Sequence, residues 1–336
     1  MLGILLLCLG IGSLLAMFIT GMLSSRFGTR PVILISGFGL AAVLPWLAIA
    51  STPFSLGITL LFFGATLGSL DVAMNIHAVE VERAAGRPLL SGFHALYSLG
   101  GFAGAAFITL LLSFGLGPIA CVVVGAGLMV LAMFASWPGL LKTRSADGDP
   151  HFAWPRGVVL IIAALTAIMF LAEGAVLDWS ALLITGNGLV DVEQGGLGFV
   201  LFSVAMTVMR LTGDALTARI GDRAIMIWGS VVAIAGFVVI LTAPVVAVAM
   251  AGFILIGVGA ANVVPVLFRR AGSQTVMPPV LAIAAITTTG YAGILLGPAL
   301  IGFVADHVGL TLAFWMMPVM LLSVLVCAGV VAPRRE

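Results

Sequence analysis

The chain has 336 residues, is 62% hydrophobic and only 8% charged, and carries a formal net charge of +1. A soluble domain carries about 25% charged residues, so this composition excludes a mainly water-facing surface and makes lipid the solvent for most of the chain. Near-neutrality excludes a bulk electrostatic case for nucleic acid. The three cysteines, Cys8, Cys121 and Cys327, lie singly inside apolar runs and form neither a disulfide framework nor a metal site.

Splitting the chain at charges, Gly/Pro turns and polar clusters predicts eleven apolar spans, each long enough to cross a hydrocarbon core of about 30 Å. They are 2–24, 31–51, 54–79, 90–114, 117–137, 157–186, 195–218, 224–243, 245–268, 279–304 and 309–331. Helices follow because a lipid-exposed backbone must satisfy its own hydrogen bonds, and these runs do not alternate as barrel strands do. The first span lacks a basic n-region, exceeds a signal peptide's apolar core, and reads as a retained span.

Span one ends in "GMLSSRFGTR" (21–30), the first charge in the chain, and span seven ends in "ALTARIGDR" (215–223). Leu23, Arg26, Gly28 and Arg30 overlay Leu216, Arg219, Gly221 and Arg223 at a constant offset of 193. The same offset carries Gly100 and Gly104 of span four onto Gly293 and Gly297 of span ten, both G-x-x-x-G spacings that let helices pack closely. Between spans five and six runs the only long polar linker, "LLKTRSADGDPHFAWPRG" (140–157). The chain therefore reads as an N-terminal helical half (1–137, five spans), a linker (138–155) and a C-terminal helical half (156–336, six spans). Two halves of one orientation form a parallel repeat.

Lys and Arg set the orientation. All fourteen read as falling at or near one set of boundaries: Arg26 and Arg30, Arg83 and Arg87, Lys142, Arg144 and Arg156, Arg210, Arg219 and Arg223, Arg269 and Arg270, and Arg334 and Arg335. The positive-inside rule makes that side, and the C-terminus, cytoplasmic.

Ionisable and polar groups inside spans are candidate site residues, because they are costly at membrane depth. Asp71 lies about 13 Å from the boundary acid Glu80, at a rise of about 1.5 Å per residue, and Asn75 stands one turn further on the same face. Glu173 lies about 26 Å from Arg156. No Lys or Arg is expected at either depth, so both acids read as groups able to take up and release a proton. Asn262, three before Pro265, is the mid-span polar group of the second half. Asp178 reads as a helix-end residue near water, and His77, His94 and Tyr97 as local hydrogen-bonding groups. Thr287, Thr288 and Thr289 read either as pathway lining or as bonded back to their own helix. No P-loop and no His/Cys/Asp cluster appears, so neither an ATP-driven pump, a metal site, a cofactor nor an enzyme is expected.

The basic turn Gly21-x-Leu23-x-x-Arg26-x-Gly28-x-Arg30 resembles the signature loop between helices 2 and 3 of the major facilitator superfamily, and its second copy resembles the loop between helices 8 and 9. "GSLDVAMN" (68–75) resembles the helix-4 pattern of the fucose-permease branch. The stretch 71–101 resembles a bacterial inner-membrane subgroup that includes a rhizopine transporter. The family's acid position in the loop is Ser25 here and Ala218 in the second copy. Asp214 and Asp222 lie close to the second loop, and no acid lies close to the first in sequence.

The resemblance implies an all-α, polytopic helix bundle, and the spans counted above give it eleven transmembrane helices, five and six. It implies a monomeric inner-membrane secondary transporter that moves a small polar solute, a sugar or sugar derivative, by alternating access with protons. The signature-loop residues, Gly21, Arg26, Gly28, Arg30, Asp214, Arg219, Gly221 and Arg223, would govern conformation. Asp71, Asn75, Glu173 and Asn262 would line the pathway. An efflux transporter for amphipathic compounds and a non-transporting receptor or scaffold are the alternatives. Two spans precede the second basic turn and one precedes the first, so the chain reads as a twelve-helix transporter lacking helix 1.

Overall fold

A computed structural model describes residues 2–142 and 153–333; Arg144, Arg334 and Arg335 and most of the 138–155 linker lie outside the described residues. Every long element among the described residues is a helix, as a backbone in lipid requires. In chain order they are α1 (Leu2–Phe27), α2 (Thr29–Ile49), α3 (Pro53–Ala85), α4 (Leu90–Ser113), α5 (Pro118–Ser136), α6 (Val158–Gly186) and α7 (Leu197–Thr242). They continue with α8 (Val246–Ala260), α9 (Val263–Ser273), α10 (Pro279–Val308), α11 (Leu310–Phe314) and α12 (Met316–Val331).

Ten stretches among the described residues are long and apolar enough to cross a membrane, against eleven predicted. The difference lies in α7. It runs for 46 residues, about 69 Å of helix and more than twice a hydrocarbon core. It bends at Gly221, whose φ of 80° and ψ of 162° are not helical. The two arms of α7 are the predicted spans 195–218 and 224–243. Gly28, 193 residues earlier, has φ 82° and ψ 165° and separates α1 from α2. Both turns need a left-handed φ that a side chain makes costly, so glycine stands at both.

By contacts the chain falls into two compact units. The first comprises Met1–Ala84, Tyr97–Pro155 and Met277–Thr288, and the second Ala85–Leu96, Arg156–Val276 and Thr289–Glu336. In the first unit α1 lies against α3 at backbone distance. A Cβ on Gly64 would overlap the carbonyl oxygen of Leu9, and the Ser13 hydroxyl donates to the Gly64 carbonyl at 2.9 Å. Val32, Ile33 and Ala73 form a small buried core with Leu70, Met133 and Leu140 against it.

In the second unit α7 and α8 make the most extensive pairing. A Cβ on Gly257 would overlap the carbonyl oxygen of Phe202. Gly257 and Phe202 each stand 193 residues after Gly64 and Leu9, so the repeat extends from sequence to packing. Without a hydrophobic drive between helices in lipid, such close approach is what holds them together. The two G-x-x-x-G pairs differ in outcome. Gly293 and Gly297 press on Ala167 and Leu171 of α6, whereas Gly100 and Gly104 have open space within 4 Å among the described residues.

Candidate functional site

Asp71 sits on α3, half-buried, and its carboxyl has no hydrogen-bond or ion-pair partner among the described residues. Asn75, 8% exposed, does not reach that carboxyl. Its amide donates to the backbone carbonyl of Asp71 at 2.9 Å, one helical turn back. The i, i+4 spacing thus brings the two residues together through the main chain and leaves the acid separate from the amide.

In the second unit the helix break between α8 and α9 organises a second group. Pro265 has no N–H to give to the carbonyl four residues back, which is that of Ala261. The freed oxygen accepts from Arg210 Nε at 3.3 Å. Asn262 follows at the break, 3% exposed, and its amide donates to the Met209 carbonyl at 3.3 Å. Among the described residues its Oδ1 is buried without a partner, and it lies where a Cβ on Gly213 would stand. The Arg210 guanidinium also lies 3.7 Å from the Glu173 carboxylate of α6.

That pair corrects two expectations. Arg210 is not at a boundary: it lies nine residues, about 13 Å, inside Arg219 and is 6% exposed. Glu173 therefore has a cation at its depth. In sequence Arg210 falls in one run of positive residues with Arg219 and Arg223 near the end of span seven. Its place inside an apolar stretch was the signal that separates it from them.

Toward the basic side, Asp214 of α7 accepts from the backbone N–H groups of Ser91 at 3.0 Å and Gly92 at 2.7 Å. Those are first-turn donors of α4 with no partner inside their own helix, and a carboxylate there also meets the positive end of the helix dipole. Arg269 lies 4.0 Å from Asp214 and donates to Asp222 at 2.7 Å, while Arg270 pairs with Asp222 at 2.9 Å. The second basic turn is thus built with two acids, although Ala218 stands at the family's usual acid position. Arg219 is exposed, and Arg223 lies beside Gly329 of α12.

In the first copy the Arg26 guanidinium lies 5.2 Å over the Phe27 ring, and Arg30 donates to the Trp137 carbonyl at 3.3 Å. An acid does reach this turn, from α3: Glu80 accepts from Thr29 at 3.0 Å. Gly21 packs against Ala284. Asp178 is exposed near the end of α6, and Tyr97 is exposed on α4. The ring of His94 packs on Phe268 at 5.8 Å. Thr287 and Thr288 bond back to the carbonyls of Ile283 and Ala284, and Thr289 donates across to Ala163 at 3.4 Å. No group of three metal-ligating side chains exists among the described residues.

A multi-pass helical membrane protein, built as a repeat with glycine-hinged basic turns and polar groups at mid-span, is the class these features define. The chain belongs to the major facilitator superfamily of transporters. It is 46% identical over 334 residues to an MFS-type transporter of Yersinia pestis, covering 98% of this chain and 86% of that protein. It is 33% identical over 344 residues to the transporter y4wD of Sinorhizobium fredii, covering 98% and 88%. No family model matches.

The fold is shared with FucP, the Escherichia coli fucose:proton symporter, at a TM-score of 0.78 and 14% identity over 99% of this chain and 90% of that one. It is shared also with the proton:xylose symporter XylE, at 0.76 and 14% identity over 97% and 85%.

Proposed function

We propose that this transporter moves a small polar solute, a sugar or sugar derivative, together with protons across the bacterial inner membrane. It works as a monomer whose basic side and C-terminus are cytoplasmic, with residues 1–137 and 156–336 rocking about the solute. Asp71 carries the reading. A carboxyl about 13 Å inside the boundary, with no cation to neutralise it among the described residues, is costly to keep unless it binds something that crosses. Two proteins of the same fold couple a sugar to protons, which supports the choice of solute class.

On this reading Asn75 and Asn262 contact the solute, Glu173 and Arg210 form the polar pair of the second half, and the two basic turns govern the rocking. Solute-dependent thermal stabilisation of the purified chain across a panel of sugars and sugar derivatives identifies the ligand. The chain in proteoliposomes with an imposed pH gradient should then accumulate that solute, and Asp71→Asn should abolish the accumulation. Unchanged accumulation in both Asp71→Asn and Glu173→Gln removes proton coupling through these acids.

A further inference from the structure

Thr29 opens α2 immediately after the hinge Gly28 and meets two residues of α3. Its Oγ1 lies 2.8 Å from His77 Nδ1 and donates to Glu80 Oε2 at 3.0 Å. On the other edge of the ring, His77 Nε2 accepts from the backbone N–H of Leu141 at 3.3 Å. A backbone amide can only donate, so Nε2 carries its lone pair and the ring is neutral with its proton on Nδ1. That proton points to Thr29 Oγ1, and the threonine hydroxyl proton goes on to Glu80. Every donor in the chain has an acceptor. The arrangement ties the first basic turn, α3 and the start of the segment leading to the second half.

The repeat supplies a comparison. Counting 193 residues on from Thr29, Ile76 and His77 leads to Asp222, Arg269 and Arg270. Those three are bound to one another by ion pairs at 2.7 and 2.9 Å. The same corner of the fold is fastened by ion pairs in the second repeat and by an imidazole ring in the first.

We propose that His77 is a pH-dependent clamp: the neutral imidazole holds the amide of Leu141 to the first basic turn, and the protonated imidazole releases it. Protonation places an N–H against the N–H of Leu141, so the acceptor is lost and the amide must leave. The charge so created faces Glu80, 3.5 Å from Nδ1 on α3 itself. On the neighbouring elements the nearest charges along the chain are Arg30, which is engaged with Trp137, and Lys142, which follows Leu141. The hold is complete while the ring is neutral and is lost as pH falls. The freed residue lies in the linker, and its release does not involve Asp71.

Hydrogen exchange of the full chain in lipid nanodiscs, read by peptides bounding Leu141, tests this at about pH 8 and about pH 5. After correction for the intrinsic rate, protection of the Leu141 amide should fall by about tenfold or more at the lower pH. His77→Gln, whose side-chain oxygen accepts at either pH, should keep the protection at both, and His77→Phe should lack it at both. Amides of α6 serve as the folding reference.

Equal protection of Leu141 at the two pH values in the unmodified chain overturns the proposal. So does a pH-dependent loss that survives in His77→Gln, which would assign the effect to Glu80. Should a variant lose its α6 protection, the nitrogen resonances of His77 in the unmodified chain decide. Protonation of the ring over the same pH interval as Leu141 release supports the clamp, and a ring that stays neutral while Leu141 is released refutes it.

Discussion

Gly213 shows how little room a single residue can leave. A Cβ there would occupy the position of Asn262 Oδ1 and come within 2.8 Å of the Ser91 Cβ. Neither neighbour is a loose surface chain: Asn262 sits at a helix break and Ser91 in the first turn of α4. Gly213→Ala should therefore destabilise by about 1–3 kcal/mol through overpacking, seen as a lower thermal midpoint in detergent. Adding Asn262→Ala should recover part of the loss, because it removes one of the two clashes. The ion pair of Arg210 and Glu173 supports a second residue-scale expectation. Arg210→Met alone leaves a carboxylate at mid-span without its cation, whereas Arg210→Met with Glu173→Gln removes both charges together. The double variant should be more stable than the single one in the same thermal assay, since it leaves no charge without its partner.

At the scale of elements, the repeat is carried by hinges and close approaches. Gly28 and Gly221 have φ values of 82° and 80° and turn the chain between paired helices. Alanine at either position forces a side chain into a backbone region that is essentially glycine-only, at a cost of about 1–3 kcal/mol. Gly28→Ala and Gly221→Ala should lower the thermal midpoint by similar amounts, because the two turns share one geometry. A loss at one position only would show that the matching dihedrals carry unequal strain. The helix break at Ala261 and Asn262 belongs to this scale too. Pro265 frees a carbonyl and Arg210, from another helix, occupies it, so a proline in one element fixes the place of a cation in its neighbour.

For the whole molecule, the proposed coupling separates two kinds of transport. Net accumulation requires a complete cycle in which the carrier returns without solute, while exchange returns loaded. Asp71→Asn, which cannot release a proton, should abolish pH-driven accumulation in proteoliposomes and retain exchange of labelled for unlabelled solute. Loss of both, together with loss of solute binding in a variant that is still folded, would make Asp71 a solute ligand first and not a proton carrier.

Much of this was legible without coordinates. Apolar length sets the number of crossings, lipid imposes helices, and the offset of 193 exposes the repeat. Each of these is a property of residues near one another along the chain, or of a pattern that recurs along it. The kink at Gly221 was legible in the same way, as a basic turn between two apolar runs, although the helix there runs almost unbroken.

Partnership across the fold was not legible. Nothing in the spacing of Arg210 and Glu173, or of Asp214 and the amides of Ser91 and Gly92, announces that they meet. The distance between such groups depends on how close the helices come, and that is decided by the backbone contacts of residues such as Gly64 and Gly257. The same holds for Asp71 and Asn75, whose shared face the helical period predicts and whose hydrogen bond it does not. An amide one turn away can bond either to a carboxyl or to the main chain. The structure shows the carbonyl accepting at 2.9 Å and the acid of Asp71 without a partner among the described residues.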